Sequence, residues 1–135
     1  MLQRQADTAE FRPMARILLV EDDPEVRLVI EHVLVDDGYE VDAVGDVKTG
    51  SDLLAGNVYD LLVTDGRLPD GTGLELADEA ARLGIQTVII TGYAFILREL
   101  AASSEKYNIL LKPLRPIEIL ESVRTALNAA TRATE

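Results

Sequence analysis

The chain has no cysteine, no tryptophan and a single histidine, His32. Without cysteine there are neither disulfides nor thiolate metal sites. One histidine leaves no histidine-based metal cluster and no Ser-His-Asp triad. Basic residues are also scarce, 13 Lys and Arg against 24 Asp and Glu, for a formal charge of −11. No Lys/Arg-rich run is visible, and phosphate recognition needs clustered cations, so direct nucleic-acid contact is not expected. The longest apolar run covers only a few residues, far short of a membrane span. Met1 to Met14 is polar and mixed in charge, without the apolar block of a secretory signal. A reducing, cytoplasmic setting is the expectation.

What is present suffices for a core. The 135 residues suit one ordinary domain, and the 47% apolar content argues against disorder. Residues 1–14 show no period and read as a tail, with Pro13 discouraging a helix that runs onward. Residues 15–130 form the domain, and 131–135 a second short tail.

Within the domain, short apolar runs alternate with helical patterns. Ile17 to Val20 reads as a buried strand. Asp23 and Pro24 then supply an N-cap and first helical position, and Val26, Val29, Ile30, Val33 and Leu34 recur at helical spacing. Asp37-Gly38 stops this helix, and Tyr39 to Val44 alternates as a second strand. Asp46 starts a weaker helix through Leu54, diluted by Gly50 and Ser51. Leu61 to Thr64 is a third strand. Leu74, Ala77 and Ala81, with Leu76, Ala80 and Leu83 on the neighbouring stripe, predict a helix that Gly84 closes. Ile85 to Ile90 is a fourth strand, Ala94 to Ser103 a fourth helix, and Ile109 to Leu111 a fifth strand. Pro116 opens a last helix with Ile117, Leu120, Val123 and Leu127 on its core stripe. Five strands alternating with five helices predict a doubly wound α/β sandwich on a parallel sheet.

Chemistry-bearing residues follow the strands. Glu21 and Asp22 come after the first, Asp65 after the third, Thr91 ends the fourth and Lys112 follows the fifth. In an open parallel sheet these carboxyl ends share one edge, where ligands bind. Taken singly, Asp65 reads equally well as strand punctuation bonded to its own turn. Jointly, three crowded carboxylates call for a cation, and Mg²⁺ suits one or two carboxylates plus phosphate oxygens. A carboxylate can attack phosphorus to form an acyl phosphate. The Lys112 ammonium and Thr91 hydroxyl could then meet the phosphoryl oxygens. Asp23 reads as an N-cap, Asp70 in Asp70-Gly71 as a turn residue, and His32 as surface.

The segments ILLVEDDP, LLVTDGRLPDGTG, VIIT and LLKP, at these spacings, resemble the receiver domain of two-component response regulators. The match spans roughly Ala15 to Ala130. It implies a flavodoxin-like (βα)5 fold with strand order 2-1-3-4-5. It further implies that Asp65 is the phosphoacceptor and that Glu21 and Asp22 organise Mg²⁺ together with Asp65 and the Arg67 backbone carbonyl. Thr91 resembles the switch hydroxyl and Lys112 the family's lysine, with a cis Lys112-Pro113 bond. The resemblance makes the chain a phosphorelay switch, not an enzyme beyond its own phosphorylation and dephosphorylation. Its implied partners are a sensor histidine kinase or phosphotransfer protein and a downstream protein target, with homodimerisation open. The ending at Glu135 suits a stand-alone module and an excised piece equally.

One position departs from the family pattern. Where an aromatic ring usually stands three residues before the lysine, this chain has Ile109, so the aromatic readout is in doubt, with Tyr107 or Tyr93 as substitutes. Gly92, after Thr91, keeps the small residue expected there. Two other functions remain in view. A dehalogenase-like aspartyl-phosphate phosphatase would need Asp-x-Asp, whereas Arg67 stands two residues after Asp65. A flavodoxin-like cofactor binder would want tryptophan and a phosphate-cradling glycine loop, both lacking.

Overall fold

A computed structural model describes residues 14–92 and 107–133, with side chains as far as residue 129. Tyr93 and the helix expected over Ala94–Ser103 lie outside the described residues.

The described elements run β1 (Arg16–Val20), α1 (Pro24–Asp36), β2 (Glu40–Val44), α2 (Val47–Gly56) and β3 (Leu61–Asp65). A two-residue antiparallel ribbon, Arg67–Leu68 against Gly71–Thr72, leads into α3 (Gly73–Arg82). Then come β4 (Gln86–Thr91), β5 (Asn108–Leu111) and α4 (Pro116–Ala133), the last running past the expected boundary at residue 130. The five longer strands form one parallel sheet in the order β2-β1-β3-β4-β5. This is the 2-1-3-4-5 order implied by the resemblance.

Strand alternation divides the core into two layers. Ile17, Leu19, Leu61, Val63, Val88 and Ile90 face α1 and α4, packing on Ile30, Leu34, Ile119, Val123 and Ala126. Leu18, Val20 and Leu62 face the other way, onto Leu54 of α2 and Leu76 and Ala80 of α3. Both faces of β1 and β3 are thus buried, which is why their sequences read as unbroken apolar runs.

Helix ends follow local chemistry. The Asp23 carboxylate accepts from the Glu25 and Val26 amides, capping α1 as its position predicts. Thr72 and Glu75 form a reciprocal capping box on α3. Gly38 and Gly84, after α1 and α3, have φ of 100° and 79°, a region that a side chain disfavours.

Four expected core positions are corrected. Val29, Leu83 and Ile117 are 57%, 55% and 43% exposed, and Ala81 is exposed as well. On α1 the buried line is Ile30 and Leu34, leaving Val29 on the flank. Leu83 is the C-cap of α3, past the point where the helical stripe applies. On α4 the stripe centres on Ile119, Val123 and Ala126, with Leu120 and Leu127 packed at its sides. Ile117 stands about 200° round the helix from Ile119 and so faces away.

Candidate functional site

The strand order reverses direction between β1 and β3, and a parallel sheet opens a crevice at the carboxyl end of such a switch point. β1 and β3 lie in register with Val20 opposite Thr64, so Glu21 and Asp65 emerge side by side. Lys112 follows β5, two strands from β3, and its stem passes over Gly92. The crevice has a volume of about 590 Å³. Its walls include Glu21, Asp22, Asp65 and Lys112, with Arg67, Leu68 and Pro69 from the loop after β3.

Its charges are tightly arranged. The Lys112 Nζ donates to Glu21 Oε1 and to Asp65 Oδ2, both at 3.0 Å. Carboxylate oxygens of Glu21, Asp22 and Asp65 all lie within 4.8 Å of one another. Glu21 and Asp65 are 1% and 5% exposed, whereas Asp22 is open to solvent. Burial raises the Glu21 carboxyl to about 6, against the pull of Lys112 and of the Asp23 amide bonded to its Oε2. Burial by itself would lower the Lys112 ammonium, but Glu21 and Asp65 together hold it above its ordinary value. The result is a dense, oxygen-only donor set with one ammonium across its mouth, chemistry that suits a hard divalent cation.

Asp65 fits both of its readings at once. Its Oδ1 accepts from the Arg67 amide at 3.2 Å, the turn bond, while its Oδ2 meets Lys112. The Arg67 side chain is exposed. Thr91 is fully buried at the end of β4, beside Leu111 of β5, and is not among the described residues that line the crevice. The structure therefore gathers Glu21, Asp22, Asp65, Lys112 and the Arg67 backbone, and leaves Thr91 buried outside the described crevice lining. The Lys112-Pro113 bond is cis.

Around these residues are supports that sequence reasoning missed. The Arg27 guanidinium donates to the Glu21 carbonyl at 2.8 Å, holding the chain where the acidic pair begins. Asp70, read as a turn residue, accepts from the Val47 and Lys48 amides of α2 at 2.8 and 3.0 Å. Those two bonds hold its carboxyl below the usual carboxylate range. No local pattern announces a cap supplied from more than twenty residues away. Gly73 has a plainer signal, a glycine opening a helix: a Cβ there would collide with the Asp65 carbonyl.

Ile109 is half-buried and packs on a cluster of Ala77, Ile89 and Tyr107. Tyr107 is itself buried, and its hydroxyl donates to Asp78 of α3 at 2.6 Å. Burial and the bond to Asp78 push that hydroxyl up to about 12. His32 is exposed on α1, as expected. Beside the crevice, and sharing Val26, Gly92 and Lys112 with it, an apolar groove of about 630 Å³ runs between α1 and the start of α4.

Comparison with known proteins agrees with this geometry. The family model for the response regulator receiver domain matches residues 17–124. The response regulator protein PilR of Pseudomonas aeruginosa is 33% identical over 115 residues, covering 83% of this chain and 26% of PilR. An uncharacterised 14.6 kDa protein of Leptolyngbya boryana is 31% identical over 113 residues, 80% of this chain and 86% of that one. The transcriptional regulatory protein DltR of Streptococcus agalactiae is 29% identical, and the chain spans half its length. Among solved structures, a CheY-like receiver domain from Methanospirillum hungatei superposes with a TM-score of 0.82 at 28% identity, over 89% of this chain and 98% of that one.

Proposed function

From the premise that the chain belongs to the response regulator receiver domain family, we propose that it is a phosphoacceptor switch with Asp65 as the phosphorylated residue. The observation that carries this reading is the Lys112 ammonium held at 3.0 Å from both Glu21 and Asp65 beneath an open crevice.

The Asp65 carboxylate attacks the phosphorus of a phosphohistidine. A bond from a carboxylate oxygen to phosphorus forms as the P–N bond breaks, and its electron pair returns to the imidazole nitrogen. No general base is needed, since the attacking group is a carboxylate oxygen with no proton to lose. Glu21, Asp22, the Asp65 carboxylate and the Arg67 carbonyl would hold Mg²⁺. When bound, that ion neutralises charge on the transferring phosphoryl group. Lys112, already bonded to the acceptor carboxylate, shifts its hydrogen bond to a phosphoryl oxygen as charge develops there. Thr91, buried at the end of β4, takes part by bringing its hydroxyl to another phosphoryl oxygen. One charge-assisted hydrogen bond supplies roughly 1.5–3 kcal/mol, while reversing a strongly biased two-state switch takes roughly 5.5 kcal/mol. Thr91 and Lys112 therefore act together or with a bound partner.

The donor is a histidine kinase or phosphotransfer protein, and the output is altered affinity for a downstream protein. The apolar groove that adjoins the crevice at Lys112 supports a macromolecular donor, since it adds landing surface that a small phosphate ester would not use. PilR and DltR are longer than this chain. Any role at DNA would run through segments outside the match, because the net charge of −11 repels phosphate. The chain turns over no substrate besides its own phosphoryl group.

Intact mass after incubation with MgCl2 and a small acyl phosphate tests the chemistry. One phosphoryl group on the parent and none on Asp65→Asn is the expected pair of results. An unmodified parent, or a phosphorylated variant, would overturn the assignment.

A further inference from the structure

The loop from Gly66 to Thr72 carries one wall of the crevice and the Arg67 carbonyl, yet it is anchored unevenly. Its base is firm: Gly66 N–H donates to the Ile90 carbonyl and Gly73 N–H to the Gly66 carbonyl, both at 3.0 Å. Its outer half is a two-residue ribbon, and there Asp70 reaches across to α2, accepting from Val47 and Lys48 at 2.8 and 3.0 Å. α2 is a solid anchor, with Leu54 buried in the core and Gly50 packed on Val20 and Leu76. The helix has its own N-cap already, since Asp46 accepts from the Thr49 amide at 2.7 Å. Two acids thus serve one helix end, and only the second comes from the crevice loop.

We propose that Asp70 is a positioning residue for the crevice, holding the Arg67–Pro69 wall at the distance from Asp65 that metal binding needs. The inference rests on the receiver reading above. Leu68 and Pro69 line the crevice, and the Arg67 amide is bonded to Asp65. With the outer tie cut, the loop pivots on its clamped base, and the Arg67 carbonyl moves relative to the carboxylates of β1 and β3. Groups that orient a metal's ligands without touching the metal carry a large share of its affinity.

Asp46 provides the discriminating control, because Asp46→Ala removes a cap from the same helix end and leaves the loop tied. Calorimetric titration with MgCl2 is applied to the parent, Asp70→Ala, Asp70→Asn and Asp46→Ala. Asp70→Ala is expected to weaken Mg²⁺ binding roughly tenfold. Asp70→Asn, with one acceptor oxygen left, should fall between it and the parent. Asp46→Ala should bind like the parent while losing a similar amount of thermal stability. In phosphorylation by a small acyl phosphate, Asp70→Ala should need more Mg²⁺ at half-maximal rate and recover at saturation. Parent-like Mg²⁺ binding by Asp70→Ala would overturn the proposal. So would equal weakening by Asp46→Ala, which would trace the effect to helix stability. A parent that binds no Mg²⁺ would instead remove the metal reading, and this inference with it.

Discussion

Strand β1 carries a cation-centred acid cluster at each end, and the two differ in what surrounds them. At its start, Arg16 pairs with Asp42 at 3.1 Å and stacks over Tyr59 at 5.1 Å, and its amide donates to Asp60 at 2.7 Å. Just past its end, Lys112 meets Glu21 and Asp65. The numbers of charges are similar. The burial is not: the Asp42 and Glu40 side chains are 40% and 59% exposed, against 2% and 6% for Glu21 and Asp65. Water solvates the surplus negative charge at the first cluster, so it can only brace the sheet edge. At the second the surplus is held out of water and calls for a cation or a charged substrate.

The sharpest way to break this contrast is to remove each cation. Lys112→Met should cut phosphorylation by a small acyl phosphate about 10²–10³-fold. Without Mg²⁺ it should also lower stability by about 3 kcal/mol, since two buried carboxylates lose their shared partner. Added Mg²⁺ should return part of that stability, readable by denaturant titration. Arg16→Ala should cost only about 1 kcal/mol and leave phosphorylation untouched. Equal stability losses at the two ends would erase the distinction.

Tyr59 sharpens the exposed side. Burial, then its 2.6 Å hydrogen bond to Asp42, raises its hydroxyl above the ordinary tyrosine value. A folded value above the unfolded one, about 10, means the contribution is full below that pH and fades as pH climbs past it. Tyr59→Phe should lose about 1 kcal/mol at neutral pH and show a flatter alkaline limb in its stability profile. The smallest effect belongs to Gly92. A Cβ there would sit 3.5 Å from the Lys112 Cβ, an ordinary contact. Gly92→Ala should therefore change stability by less than about 0.5 kcal/mol and phosphorylate like the parent.

Much of this could be read from residue order. Apolar runs bounded by Asp, Gly and Pro located the strands, and Asp23-Pro24 located the start of α1, because those signals act over a few bonds. The acidic and basic residues after successive strands were legible for a different reason: a parallel sheet brings all its carboxyl ends to one edge. Core stripes were legible only in part. Ile117 and Val29 are as apolar as Ile119 and Ile30, and no property of the chain distinguishes which side of a helix the sheet will cover. The role of Asp70 was illegible, because its partners at Val47 and Lys48 come near only after two crossovers have closed.

The sequence alone determined the alternation of strand and helix, the Asp23 and Asp46 caps, and the strand ends that carry the acids and the lysine, since each depends on periodicity or on neighbours along the chain. Tertiary structure alone decided that Glu21 and Asp65 are buried while Asp42 is not, that Thr91 is fully buried, and that α2 anchors the loop after Asp65. Burial and long-range hydrogen bonds depend on which elements pack together, and a carboxylate's chemistry follows the water it has lost.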